Sequence, residues 1–153
     1  MRALGVDYGR QRIGLALSDA SGTLARPWKT IARVGNPSQV AASIASELRA
    51  LAGGDEAVAV VVLGYPRRLN GTPGDQTAGV EQLAGYLRRA MDLPLILQDE
   101  RLSSREAEAL LARREKDWRK RKAQLDAMAA AVILQDYLDS NARQGAGPED
   151  ADR

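Results

Sequence analysis

The chain begins with Met1-Arg-Ala-Leu-Gly-Val-Asp-Tyr-Gly-Arg-Gln-Arg-Ile-Gly-Leu-Ala-Leu-Ser18, the stretch that decides its fold. Two apolar runs, Ala3–Val6 and Ile13–Leu17, flank a polar segment with a glycine, which is the pattern of two strands joined by a tight turn. The first run ends in Asp7. A carboxylate there is costly if it is buried without a partner, and it is favourable if it holds a metal ion. The alternative is that Asp7 is an ordinary turn residue, because aspartate is common in turns.

Composition excludes several kinds of active site. The 153 residues contain no cysteine and no histidine. A disulfide, a thiolate nucleophile, a Ser-His-Asp triad and a histidine-ligated zinc site are therefore excluded within one chain. A hard cation with oxygen ligands becomes the natural cofactor. The absence of cysteine also fits a cytoplasmic location. No apolar run is long enough to span a membrane, and no secretory signal is recognisable, so we expect no membrane partner.

Strand and helix patterns alternate along the rest of the chain. Continuous apolar runs predict strands covered on both faces at Ala57–Leu63 and Leu95–Gln98, and a weaker strand is predicted at Trp28–Ala32. Helices are predicted from Pro37 (with Asn36 as N-cap) to Gly53-Gly54, over 77–91, from Ser103, and over 125–138. This order predicts an α/β fold with a mostly parallel sheet, a hairpin as its antiparallel part and helices on both faces. We expect one domain over residues 1–140 and a disordered tail over 141–153.

Acidic residues stand where such a fold binds ligands. Ligands of α/β sheets lie beyond the carboxyl ends of the strands, and Asp7 and Asp99-Glu100 occupy such ends. Asp99 and Glu100 point to opposite faces of a strand, and the pattern does not choose between them. Asp126 lies on the apolar face of the last helix, a conflict that is typical of functional sites. Its alternative role is to complement the helix dipole near an N-terminus.

Three carboxylates on these elements could meet at one point. Clustered carboxylates repel one another and need a cation, which without histidine or cysteine should be Mg²⁺ or Mn²⁺. Two such ions can activate a water and stabilise the leaving oxygen of a phosphodiester without a side-chain base. A protein without histidine could therefore still be a nuclease.

Basic residues surround the predicted site. Cations crowd the segment 113–122, which contains Trp118, Arg119, Lys120, Arg121 and Lys122. Their functional interpretation is a phosphate-binding arm, and the alternative is a solvated connection between helices. Arg10, Arg67 and Arg68 lie on two loops predicted to border the site. Trp118 and Tyr8 could stack on an unpaired base, or Trp118 could pack the arm onto the core.

Several segments resemble the YqgF family of Holliday-junction-resolvase-like pre-16S rRNA nucleases, which have a ribonuclease H-like fold. The matching segments follow one another in order and spacing over nearly the whole chain: Leu4–Asp19, Val62–Pro66, Asn70–Thr72, Asp99–Ser104 with Glu106-Ala107, and Leu125–Leu138. The resemblance implies a ribonuclease H-like mixed sheet. It also implies that Asp7, Glu100 and Asp126 are the metal-binding catalytic acids, with Arg12, Ser103 and Ser104 as their neighbours.

The chain departs from the family pattern in its substrate groove. Tyr65 stands where leucine is usual between Gly64 and Pro66, and the next residues read Arg67-Arg68-Leu69-Asn70-Gly71. The glycine expected before the last helix is replaced by basic residues. These changes concern substrate preference more than the acids.

The predicted function is a divalent-metal-dependent endonuclease for structured nucleic acid, as in pre-16S rRNA 5′-end processing or Holliday junction resolution. Junction resolution needs two symmetric cuts and favours a homodimer, whereas RNA trimming does not. A sugar-kinase or actin-like ATPase also has Asp-x-Gly after a strand, but it needs two domains around its nucleotide. The remaining alternative is a non-catalytic nucleic-acid-binding ribosome-assembly factor, which would not need acids on buried faces.

Overall fold

The computed structural model describes residues 1–52, 57–66, 77–99 and 118–145. Five strands and three helices follow one another as β1 (Arg2–Tyr8), β2 (Arg12–Ser18), β3 (Ala25–Ala32), α1 (Pro37–Leu51), β4 (Val58–Tyr65), α2 (Thr77–Ala90), β5 (Leu95–Asp99) and α3 (Trp118–Gly145). The helix predicted from Ser103 and residues 146–153 of the predicted tail lie outside the described residues. Residues 141–145 belong to the last helix, so the prediction of a disordered tail is wrong for these residues.

The strands form one mixed sheet in the order β3-β2-β1-β4-β5. β1, β2 and β3 are antiparallel neighbours, and β4 and β5 run parallel to β1. The predicted α/β class with an N-terminal antiparallel hairpin is therefore confirmed.

Side-chain alternation along the strands creates two cores, one on each face of the sheet. Val61 and Leu63 of β4 pack with α1 and α2, and Val60 and Val62 pack with α3. Helices therefore cover both faces, as the continuous apolar run of β4 predicted.

Helix α1 begins where its capping residues predict. Asn36 Oδ1 accepts from the Gln39 N–H at 3.0 Å, and Gln39 Oε1 accepts from the Asn36 N–H at 2.8 Å. This reciprocal capping box, with Pro37 in the first turn, satisfies two backbone donors that a helix N-terminus leaves open.

Helix α3 begins earlier than predicted, at Trp118 rather than near Leu125. The residues from Trp118 to Lys122 are therefore helical, and the alternative interpretation, in which they form a connection before the last helix, is wrong. In the described part of the chain, no helix is long and apolar enough to cross a membrane.

Candidate functional site

Asp7 and Asp126 lie on the same side of the sheet, at the carboxyl end of β1. The odd-numbered residues of β1 face α3, since Ala3 belongs to the α3 core and a Cβ added at Gly5 would lie 2.8 Å from the Ala130 carbonyl oxygen. Asp7 continues this series, and its partner across the β1–β2 pair is Gly14. A Cβ at Gly14 would lie 1.9 Å from the carbonyl oxygen of Asp126. Helix α3 thus crosses the sheet beside Asp7 at the level of Asp126.

The position of Asp7 excludes the turn interpretation. Asp7 lies inside β1 and is paired with Gly14, one residue before the strand ends at Tyr8. The turn that follows consists of residues 9–11 and is called the β1–β2 turn below. Its first residue lies near the second acid, because a Cβ at Gly9 would be 3.9 Å from Asp126 Oδ1.

Asp126 is fixed by an ion pair from β2. The Arg12 Nε–H donates to Asp126 Oδ2 at 2.8 Å, and the two side chains are 46% and 23% exposed. Because α3 begins at Trp118, Asp126 lies about two turns inside the helix. The helix dipole acts on charges within the first turn, so the dipole interpretation of Asp126 is wrong.

Arg10 is exposed on the β1–β2 turn, and Arg12 is the first residue of β2. Both therefore lie at the rim of the pair of acids, where the sequence predicted cationic neighbours. Arg12 therefore places a positively charged side chain against Asp126, and Arg10 lies on the neighbouring turn.

Tyr8 does not have the role that the sequence suggested. Its ring packs against the core formed with α1 and α2, on the sheet face opposite to Asp7. The Arg33 guanidinium lies 4.0 Å from the centre of the ring, and the Tyr8 hydroxyl is buried without a hydrogen-bond partner among the described residues. The prediction that Tyr8 stacks on a base is therefore wrong. Alternation from Val6 would have assigned Tyr8 to this core.

Several predicted site residues lie outside the described part of the chain. These are Glu100, Ser103, Ser104, Arg67 and Arg68, together with the side chains of Trp118, Arg119, Lys120, Arg121 and Lys122. Within the described ranges, no group of three or more Asp, Glu, His or Cys side chains could hold a metal ion. Of the three predicted acids, the structure describes Asp7 and Asp126 and places both on the α3 side of the sheet.

Similarity to known proteins extends over nearly the whole chain. A family model described as RuvX, Holliday junction resolvase, matches residues 1–140. A relative from Syntrophus aciditrophicus (strain SB) is 42% identical over 140 residues, which are 92% of this chain and 89% of the relative. Another from Anaeromyxobacter dehalogenans (strain 2CP-C) is 44% identical over 142 residues, 93% of this chain and 99% of the relative. Both are provisionally named pre-16S rRNA nucleases.

A solved structure confirms the fold. The T. thermophilus RuvC protein, in complex with a Holliday junction substrate, is 17% identical to this chain with a TM-score of 0.54. The alignment covers 95% of this chain and 96% of that protein. The predicted ribonuclease H-like mixed sheet is therefore confirmed.

Proposed function

The chain belongs to the RuvX Holliday junction resolvase family and is a nuclease, and from this premise we propose that it is a divalent-metal-dependent endonuclease for structured nucleic acid. The observation that carries the proposal is the convergence of Asp7 and Asp126 on one sheet face, beside the exposed, cationic β1–β2 turn. Carboxylates next to surface arginines suit a substrate whose phosphates must approach bound cations.

The proposed catalytic and metal-binding acids are Asp7, Glu100 and Asp126. Their oxygen donors fit Mg²⁺ or Mn²⁺, and we propose two ions. When bound, the metal would activate water and stabilise the leaving oxygen. Leu95 packs with the α1–α2 core and Ile96 with the α3 core. Alternation therefore assigns even-numbered positions of β5 to the face of Asp7 and Asp126. Glu100 follows the described strand, and we propose it rather than Asp99 because the family resemblance implies it.

Arg12 has two roles in the proposed function. Its Nε–H holds Asp126 Oδ2 and thereby orients the carboxylate. A guanidinium has five N–H donors, so the others can bind a substrate phosphate at the rim. Further contacts to nucleic acid are assigned to Arg10, Arg67, Arg68, Trp118, Arg119, Lys120, Arg121 and Lys122, and Ser103 and Ser104 are assigned as neighbours of the acids.

We propose precursor 16S rRNA as the substrate, because the relatives at 42% and 44% identity are named for it. Branched DNA is the second substrate to test, since the family is described by Holliday junction resolution. The proposal further includes one nuclease domain, a tail beyond the end of α3 at Gly145, a cytoplasmic location and a homodimer. Sedimentation equilibrium tests the homodimer, and cell fractionation tests the location.

The test is a cleavage assay on two substrates, a precursor RNA with a single-stranded 5′ extension and a four-way DNA junction. Each is incubated with Mg²⁺, Mn²⁺ or EDTA. We expect metal-dependent cleavage by the native chain and a loss of at least about 100-fold in Asp7→Asn and Asp126→Asn, because each change removes a charged oxygen ligand.

Asp92→Asn is the matched control, since Asp92 is an exposed aspartate between α2 and β5. It should cleave at the native rate. Native activity in Asp7→Asn or Asp126→Asn would remove that residue from the site. Binding of both substrates without cleavage would identify the chain as a non-catalytic assembly factor.

A further inference from the structure

Arg33 directly follows β3 and is hydrogen-bonded to the β1–β2 turn. Its Nη1 donates to the Gly9 carbonyl oxygen at 3.0 Å. Its backbone N–H donates to the Gln11 carbonyl oxygen, also at 3.0 Å. Its guanidinium stacks on the Tyr8 ring, 4.0 Å from the ring centre. One side chain and its own backbone therefore hold three of the four residues from Tyr8 to Gln11.

The turn that Arg33 holds lies between the two acids. The Gly9 N–H donates to the Asp7 carbonyl oxygen at 3.1 Å, so the turn is bonded to the residue that carries the first acid. On its other side, a Cβ at Gly9 would lie 3.9 Å from Asp126 Oδ1. A displacement of the turn would therefore change the relation between Asp7 and Asp126 and move Arg10 with them.

The contacts of Arg33 are with protein groups. Tyr8, on which it stacks, packs against the core of α1 and α2, and the ring lies 4.0 Å from the Cβ position of Gly79 in α2. The Arg33 side chain is half-buried. Arginine suits this place because a planar guanidinium can stack on a ring and direct an N–H to a carbonyl at once, whereas an ammonium cannot.

We propose that Arg33 is a positioning residue for phosphodiester hydrolysis, which fixes the β1–β2 turn and through it Asp7 and Arg10 without contacting nucleic acid. This inference rests on the proposed endonuclease function. It adds a residue that directly follows β3, the edge strand of the sheet, to a site whose described acids lie on β1 and α3.

The test compares Arg33→Ala and Arg33→Lys with the native chain, well below the unfolding temperature. We expect kcat to fall roughly 10- to 100-fold in both variants with at most a small rise in KM from the displaced Arg10, because a misplaced catalytic group mainly slows the chemical step. We also expect the Gly9 amide to exchange its hydrogen faster in both variants, measured by NMR in the absence of substrate.

Arg89→Ala is the matched control, since Arg89 stacks on Tyr86 at 5.4 Å within α2. It should change neither kcat nor Gly9 exchange. Three outcomes would each overturn the proposal. They are a native kcat in Arg33→Ala, a native kcat in Arg33→Lys, and a raised KM together with native Gly9 amide exchange. If the native chain cleaves neither substrate, the endonuclease function fails by itself. The hydrogen-exchange rate of the Gly9 amide then still tests whether Arg33 holds the turn. A native exchange rate in Arg33→Ala would overturn the role proposed for Arg33.

Discussion

At the scale of single residues, two glycines determine how closely α3 approaches the sheet. Cβ atoms at Gly5 and Gly14 would lie 2.8 Å and 1.9 Å from the carbonyl oxygens of Ala130 and Asp126. Both obstacles are backbone atoms of a helix, which cannot move aside as a flexible side chain can. The absence of these two side chains is therefore what allows Asp126 to reach the level of Asp7.

Gly14→Ala should destabilise the fold by about 3 kcal/mol or more, because the added methyl group must displace α3. Gly85→Ala is the matched control, since a Cβ at Gly85 would meet no atom within 4 Å and Gly85 lies in α2. The control should gain about 0.5–1 kcal/mol from its higher helix propensity. Urea unfolding measures both, and equal midpoints for Gly14→Ala and the native chain would contradict the close approach of α3.

The Arg12–Asp126 pair contributes to geometry more than to stability. A pair this exposed is worth at most about 1 kcal/mol. Its larger effect is to hold one oxygen of Asp126 at 2.8 Å from Nε, so the carboxylate has a fixed orientation before any ligand arrives.

At the scale of elements, Asp19 organises the connection between β2 and β3. Its Oδ1 accepts from the N–H groups of Thr23 at 2.8 Å and Leu24 at 3.2 Å, and its Oδ2 accepts from Ser21 Oγ at 3.1 Å. The hydrogen bond from the Thr23 backbone, followed by that from Leu24, lowers the pKa of the Asp19 carboxyl below its ordinary value.

The lowered pKa of Asp19 predicts a pH-dependent contribution to stability. A depressed carboxyl pKa stabilises the folded state above the unfolded value of about 3.9, and this stabilisation is lost as the pH falls through the folded pKa. The difference in unfolding free energy between the native chain and Asp19→Asn should therefore shrink as the pH is lowered below about 4. Urea titrations of both proteins at several pH values measure it. A difference that stays constant across this range would contradict the prediction.

Elements with strong periodicity could be predicted from the sequence, and those with mixed patterns could not. The hairpin, α1 and β4 have clear apolar patterns and end close to their predicted bounds. β3 begins three residues before its prediction at Trp28, because an edge strand tolerates Pro27, which pairs with Ala16 beside a register shift. The start of α3 could not be predicted, because the consecutive cations of 119–122 do not show the spacing of apolar residues that indicates a helix.

The same limit applies to the site. Asp7 and Asp126 could be predicted because each acid conflicts with an apolar pattern around it. Arg33 could not, since its contacts with Tyr8 and Gly9 join residues that are distant in sequence. Gly5 and Gly14 were visible as glycines inside strands, a pattern that indicates close backbone approach.

At the scale of the whole molecule, attraction to nucleic acid must come from the distribution of charge. The formal net charge is only +2, so long-range attraction of a polyanion is weak. The strongest local concentration, Arg119-Lys-Arg-Lys122, lies at the beginning of α3, where the helix dipole disfavours cations and the first turn contains no acidic residue. A placement that is unfavourable for the helix suggests a ligand of opposite charge.

Replacing Arg119, Lys120, Arg121 and Lys122 with alanine should therefore weaken nucleic-acid binding without destabilising the fold. The slope of log K against log salt concentration should become shallower by roughly 0.7–0.9 for each phosphate that the variant no longer neutralises. Arg88→Ala with Arg89→Ala is the control, because these cations lie in the last turn of α2, where the helix dipole favours them. This control lowers the net charge but should leave the slope unchanged. If the fourfold variant keeps the native slope, its cations form a solvated surface, and phosphate binding must depend on the arginines at the rim of the acids.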